Sequence, residues 1–288
     1  MPAWATMRSS TALPTLACAI AMALPGCGGG DAPAPKPQPD PATGVVIWAV
    51  GDGGLPNEAS EQVAELIERD DPDHVIYLGD VYGSGTVEEF LRFREVFGPL
   101  VERMWPTPGN HEWANHATGY APFWRTVLGE DLPLRYERRA GGWEVLSANS
   151  ETSDDEQQLR WLRDEVRAAG TCRIAVWHRP RRNAGEHRDE EQDVARMWEA
   201  VKGRVSIVLS GHDHNLQRFR PVEGTVQYIS GAGGRGHHEV DESDPRLAFS
   251  DDSAYGALRI ILRPGRADLR FYSTDGTELD RSTVGCEG

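Results

Sequence analysis

Five short segments of the chain carry the residue types that bind hard cations and move protons. They are Gly51-Asp52-Gly53-Gly54, Gly79-Asp80, Gly109-Asn110-His111-Glu112, His178 and Gly211-His212-Asp213-His214. Their ligand atoms are carboxylate, amide and imidazole, with no thiolate among them. Such a set suits zinc, iron or manganese better than a soft metal. Taken singly, most of these segments say little: Gly-Asp is an ordinary turn or helix cap, and a His at a strand end is ordinarily a hydrogen-bonded loop residue. His212-Asp213-His214 says more, because two imidazoles two residues apart on extended backbone converge on one metal region. All five in order, each just past an apolar run, define a metal site.

The apolar runs are the elements that must position these residues. Val45–Val50 is continuously apolar, as a strand covered on both faces would be. It precedes Asp52. His74–Leu78 precedes Asp80, Trp105–Pro108 leads to Asn110, Cys172–Trp177 ends at His178, and Val205–Leu209 precedes His212. Between them, helical spacing runs over 57–69 and 86–103. In the second of these, Val87, Phe90, Leu91, Val96 and Phe97 share a face, and Thr86 is placed as N-cap. Strand–helix–strand units of this length imply a parallel sheet, whose ligands bind beyond the carboxyl ends of the strands.

Further along, Gly141-Gly142 separates two runs as a hairpin would. Ser153 and Glu156 form a capping-box signature that opens a helix reaching Ala169. Helical spacing returns over 190–202, a strand over 226–229, and a late hairpin over 257–262 and 267–272. Roughly ten strands exceed what one open sheet holds without splitting. The expected fold is therefore α/β, with two packed mixed β-sheets flanked by helices in a four-layer αββα sandwich.

The chain has 288 residues, 39% of them hydrophobic, with nine Trp, enough for a substantial core. Its formal net charge of −15 argues against nucleic-acid binding through the general field of the protein. Anionic ligands must be held by a local site. Residues 1–27 read as an export signal: Arg8, a short apolar run, then Leu24-Pro25-Gly26-Cys27, which resembles the bacterial lipobox. Cys27 is then a lipid-anchor candidate, and the expected location is periplasmic or cell-surface. Residues 28–43, rich in Gly and Pro, fit an extended tether, followed by one domain over 44–288. In an exported protein the remaining Cys172 and Cys286 favour a disulfide, with two unpaired thiols as the alternative.

The ordered set of segments resembles the calcineurin-like metallophosphoesterase superfamily, over residues 44–275. Within it the chain is most similar to the purple, or tartrate-resistant, acid phosphatases. Asp52-Gly53-Gly54 lacks the His many relatives carry two residues after the Asp. Gly211-His-Asp-His-Asn-Leu-Gln217, Tyr228-Ile-Ser-Gly-Ala-Gly-Gly234, and His187 nine residues after His178 also fit that branch. The resemblance implies two metal ions (iron with iron, zinc or manganese) bridged by Asp80. One would take Asp52, Asp80 and His214, the other Asp80, Asn110, His178 and His212. The family's metal-bound tyrosine lies three residues after the bridging Asp. Here Gly83 holds that place and Tyr82 lies one residue earlier, so Tyr82 either reaches the metal from a shorter loop or is not a ligand.

The function implied is hydrolysis of phosphate monoesters by in-line attack of a metal-bound hydroxide, with His111 as the acid that protonates the leaving group. His187 would assist it or contact the phosphate. Arg179, Arg181 and Arg182 would either attract the anionic substrate or form a solvated basic loop. A phosphodiesterase or nucleotidase on the same scaffold differs only at the rim, over 113–130, 181–189 and 235–252. A non-catalytic surface lipoprotein would be expected to have lost a metal ligand.

Overall fold

The structure, a computed structural model, describes residues 44–168 and 170–286. The export signal, Cys27 and the Gly/Pro-rich tether lie outside the described residues. In chain order the elements are β1 (Val45–Val50), α1 (Glu58–Asp70), β2 (His74–Tyr77), α2 (Val87–Phe97), β3 (Met104–Pro106), α3 (Asn110–Trp113) and α4 (Ala121–Leu128). Next come β4 (Tyr136–Ala140), β5 (Trp143–Ser147), α5 (Glu156–Glu165), β6 (Cys172–Val176), α6 (Ala195–Val201), β7 (Ile207–Ser210), β8 (Leu216–Phe219) and β9 (Val226–Ser230). The chain closes with β10 (Leu247–Asp251), β11 (Gly256–Arg263), β12 (Arg266–Ser273) and β13 (Glu278–Gly285).

The strands form two sheets, in the orders β13-β12-β11-β1-β2-β3 and β10-β8-β9-β7-β6-β5-β4. Both are mixed. Strands β1, β2 and β3 are mutually parallel, as are β5, β6, β7 and β9, and the remaining pairs are antiparallel. Strand alternation assigns the layers. Ile47 and Ala49 of β1 pack with Val145, Ile174, Val176 and Leu209 of the other sheet. Their neighbours Trp48 and Val50 face α1 and α2 instead, with Val63, Leu66, Phe90 and Phe93. On the far side, Leu146, Ala175 and Trp177 pack under α5 and α6 with Leu159, Leu162, Met197 and Trp198. Helix, sheet, sheet, helix is the four-layer sandwich expected from the sequence, and burying both faces of each central strand explains the unbroken apolar runs.

Polar ties and one covalent bond also join the sheets. Arg218 of β8 forms a two-pronged pair with Asp280 of β13, at 2.7 and 2.8 Å. Cys172, opening β6, is disulfide-bonded to Cys286, just past β13 and 114 residues away. Closing so long a loop lowers the entropy of the unfolded chain, an effect of about 4 to 5 kcal/mol in the chain-entropy account.

Several helix boundaries differ from the sequence expectation. Thr86 does cap α2, with a full capping box to Glu89. The α-helix stops at Phe97, however, and Gly98–Arg103 continues as a 3-10 turn that starts with Gly98-Pro99. Its buried face is Phe90, Phe93 and Phe97, whereas Val87 and Leu91 are 48% and 55% exposed. The aromatic side chains fill the space above β1 and β2 and rotate the smaller aliphatics outward. Helix α5 is capped by Asp155, whose carboxylate accepts from the Gln157 and Gln158 amides, rather than by Ser153. It ends at Glu165 instead of reaching Ala169. The segment over 190–202 is a 3-10 stretch (Arg188–Val194) followed by the short α6.

Candidate metal centre

The loops leaving β1, β2, β3, β6 and β7 meet at one end of the sandwich, so all the sequence-assigned metal ligands converge. Asp52, Asp80 and His212 adopt left-handed backbone conformations, with φ of 61°, 61° and 72°. For residues other than glycine such conformations cost free energy and concentrate at functional sites. Close approach of neighbouring loops requires glycine at two points. A Cβ on Gly109 would collide with Asp80 Oδ1, and one on Gly211 with Asp52 Oδ2.

Two donor clusters result. In the first, Tyr82 Oη lies 3.1 Å from Asp52 Oδ1 and 2.5 Å from His214 Nε2. The shortened loop thus does bring Tyr82 to the ligand set. In the second, His178 Nε2 lies 3.0 Å from Asn110 Oδ1, 3.1 Å from His212 Nδ1 and 3.4 Å from Asp80 Oδ2. The ligand atoms of Asp80, His178 and His212 all lie within 4.8 Å of one another. The clusters are joined by the His212 amide, which donates to Asp52 Oδ2 at 2.8 Å.

This donor set fits metal cations, and the imidazoles show it best. The outward nitrogen of each meets an oxygen acceptor: His178 Nδ1 to the Leu78 carbonyl, His214 Nδ1 to the Gly236 carbonyl, and His212 Nε2 to Glu190, each at 2.8 Å. A proton held outward leaves the inward nitrogen free to ligate, the usual arrangement around bound metal. Two inward nitrogens only 3.1 Å apart, with a carboxylate and an amide oxygen beside them, are well satisfied by a shared cation.

The electrostatics agree. Burial pushes the Asp52 carboxyl well above its usual range, with repulsion from Asp80 adding to it. Burial and the Asp52 charge push the Tyr82 phenol far above its usual range. At Asp80 burial acts upward too, but the charge of His178 prevails and holds the carboxyl below its usual range. Burial disfavours a charged His178, yet Asp80 outweighs it and raises the imidazole from 6.5 to about 10. Without a cation, then, Asp52 favours its neutral form and His178 its protonated form.

These shifts fix a sign. A raised His pKa contributes stability that is complete below about pH 6.5 and is lost as pH rises toward 10. A raised carboxyl acts in the same direction, because the folded state must release its proton at a cost once pH exceeds the ordinary 3.8. Chelator-stripped protein should therefore melt at lower temperature at pH 9 than at pH 7.5, a range above that in which the lowered imidazoles of His212 and His214 act in the opposite direction. The increment gained on adding metal should grow over the same range, since cation and proton compete for the same atoms. Thermal melts with and without metal check both slopes.

The two sequence-assigned proton carriers border the clusters. His111 donates its amide to Asp80 Oδ1 at 3.0 Å and places Nδ1 2.8 Å from the Gly83 carbonyl, with Nε2 3.9 Å from Asp80 Oδ2. Its side chain is 38% exposed, which leaves it open to a ligand. His187 stacks near His212, ring centres 4.3 Å apart, with Nδ1 3.1 Å from Glu190. Arg179 is occupied by Glu151 and Glu190, Arg181 faces Glu191, and Arg182 donates to the Arg220 carbonyl. These arginines therefore serve local structure rather than form a cationic funnel.

Three contributors were not assigned from the sequence. Glu112 is buried, and its carboxylate accepts from the Asp80 and Val81 amides at 3.1 and 3.3 Å, clamping the loop that carries Asp80. Glu190 touches His212, His187 and Arg179 at once; its spacing of one helical turn from His187 was the available signal. His238, held by Asp213 at 2.9 Å, stacks on His214 with ring centres 3.7 Å apart. Its neighbour His237 stacks instead on Tyr255.

The sequence profile of the calcineurin-like phosphoesterase family matches residues 45–216, and the chain belongs to that family. It is 24% identical over 291 residues to mouse tartrate-resistant acid phosphatase type 5, covering 82% of this chain and 89% of the mouse protein. It is 28% identical over 199 residues to the probable purple acid phosphatase 20 of Arabidopsis thaliana, covering 60% of this chain and 46% of the plant protein. The chain thus spans about half the length of that relative. The solved structure of the purple acid phosphatase PPD1 from yellow lupin shares the fold, with a TM-score of 0.70, 17% identity, and coverage of 87% of this chain and 55% of the lupin chain.

Proposed function

We propose that the protein is an exported phosphatase that hydrolyses phosphate monoesters at a dinuclear metal centre. The observation that carries this reading is the pair of joined donor clusters, with two reachable histidines beside them. Asp52, Tyr82 and His214 would hold one ion, Asn110, His178 and His212 the other, and Asp80 would bridge. Bound ions would supply an activated water and neutralise the phosphoryl charge. A phenolate ligand from Tyr82, which lies against Asp52 and His214, would suit a hard, strongly acidic cation such as iron at the first position.

The chain's own groups do the rest. With Nδ1–H of His111 donated to the Gly83 carbonyl, Nε2 carries a transferable proton only in the imidazolium form. His111 then protonates the departing alkoxide. His187, fixed through Nδ1 by Glu190, presents Nε2 to the phosphate. Cys27 would tether the domain to the membrane surface, consistent with the disulfide chemistry of an exported protein; labelling of wild type but not Cys27→Ser with a radioactive fatty acid tests the tether.

The reaction class is tested by rates on p-nitrophenyl phosphate and bis-p-nitrophenyl phosphate. The monoester should be preferred by at least about tenfold in kcat/KM, a modest difference of some 1.4 kcal/mol in transition-state binding. A diester preference would move the assignment to a phosphodiesterase on the same scaffold.

A further inference from the structure

Arg235 stands apart from the other arginines around the centre. Its backbone amide donates to the Asp52 carbonyl at 3.1 Å, so it is anchored to the loop that carries a metal ligand. Its guanidinium lies over the ring of Tyr82, 5.1 Å from the ring centre, and the residue is exposed. His111 packs against the same ring, centroids 4.6 Å apart. Arg179, Arg188 and Arg246 are each neutralised by a carboxylate. Among the described residues no carboxylate pairs with Arg235, although the chain carries an excess of 15 acidic charges.

We infer that Arg235 is a specificity-determining residue that reads the second negative charge of a phosphate monoester. A guanidinium offers a planar fork of donors to phosphate oxygens. Its electrostatic attraction also scales with ligand charge. A dianionic monoester or free phosphate gains twice what a monoanionic diester gains from the same cation. In free-energy terms the fold-loss for a dianion on removing Arg235 is the square of that for a monoanion. The inference rests on the phosphatase reading and adds which residue sets its preference.

The test compares Arg235→Lys, Arg235→Gln and wild type in metal-loaded protein. For Arg235→Gln, kcat/KM on the monoester should fall about tenfold and on the diester about threefold, mainly through KM. Affinity for inorganic phosphate, measured calorimetrically, should fall about tenfold. Arg235→Lys should lie between, and metal content should be retained in both variants. Equal losses on both esters, or loss of metal with loss of activity, would overturn the inference and make Arg235 a support for Tyr82. Phosphate binding that depends on Arg235 in a wild type without turnover would sustain it while removing the phosphatase reading.

Discussion

Replacing Asp80 by Asn is expected to lower kcat/KM by roughly a thousandfold or more, because it removes the charge that would hold two cations together in the proposed centre. The substitution is close to isosteric, and the site leaves little room for anything larger, with Gly109 against Asp80 Oδ1. An Asn oxygen can still accept from the His111 amide, and the Asp80 amide can still donate to Glu112. The loop should therefore keep its shape. What disappears is the negative charge that keeps His178 protonated in stripped protein and compensates the cations in loaded protein. Metal content should fall in parallel with turnover, while the circular dichroism stays native. An Asp80→Asn protein that keeps both metals and full turnover would show that the bridge is misassigned.

His111→Ala should produce the second large effect, and its size should depend on the substrate. General acid catalysis contributes about a hundred- to ten-thousandfold where a proton must reach the leaving group. An alkyl phosphate expels a strongly basic alkoxide and should lose about a hundredfold or more. p-Nitrophenolate leaves without much help and should lose far less. The geometry supports this division: His111 borders the clusters without belonging to either, so its loss should spare metal content. Plotting log kcat against leaving-group pKa for wild type and variant reads the result. Parallel lines would mean that His111 contributes binding or packing instead of a proton.

The part of the site legible in the sequence is the part built on strand ends. Asp52, Asp80, Asn110, His178, His212 and His214 all follow apolar runs directly, and a strand buried on both faces announces itself by composition. Their convergence follows from parallel strands ending on one side of the sandwich. Less was legible where position depends on tertiary packing. Val87 and Leu91 keep helical spacing yet face solvent, because Phe90, Phe93 and Phe97 claim the buried side. Strand β13, Glu278–Gly285, is polar along most of its length and gave no periodic signal; it is held by pairing to β12 at the sheet edge. Glu190 lies in a 3-10 stretch, and only folding carries its carboxylate to His212. His238 reaches His214 through the long connection between β9 and β10, whose path local sequence does not set.

The most direct measurement is metal analysis of the soluble form that begins after Cys27, paired with its p-nitrophenyl phosphate rate before and after chelation. The account predicts about two metal ions per chain, as a bridged two-ion centre requires, with turnover lost on chelation and restored by metal. A chain that binds no metal, or one whose turnover survives complete removal of metal, would contradict it.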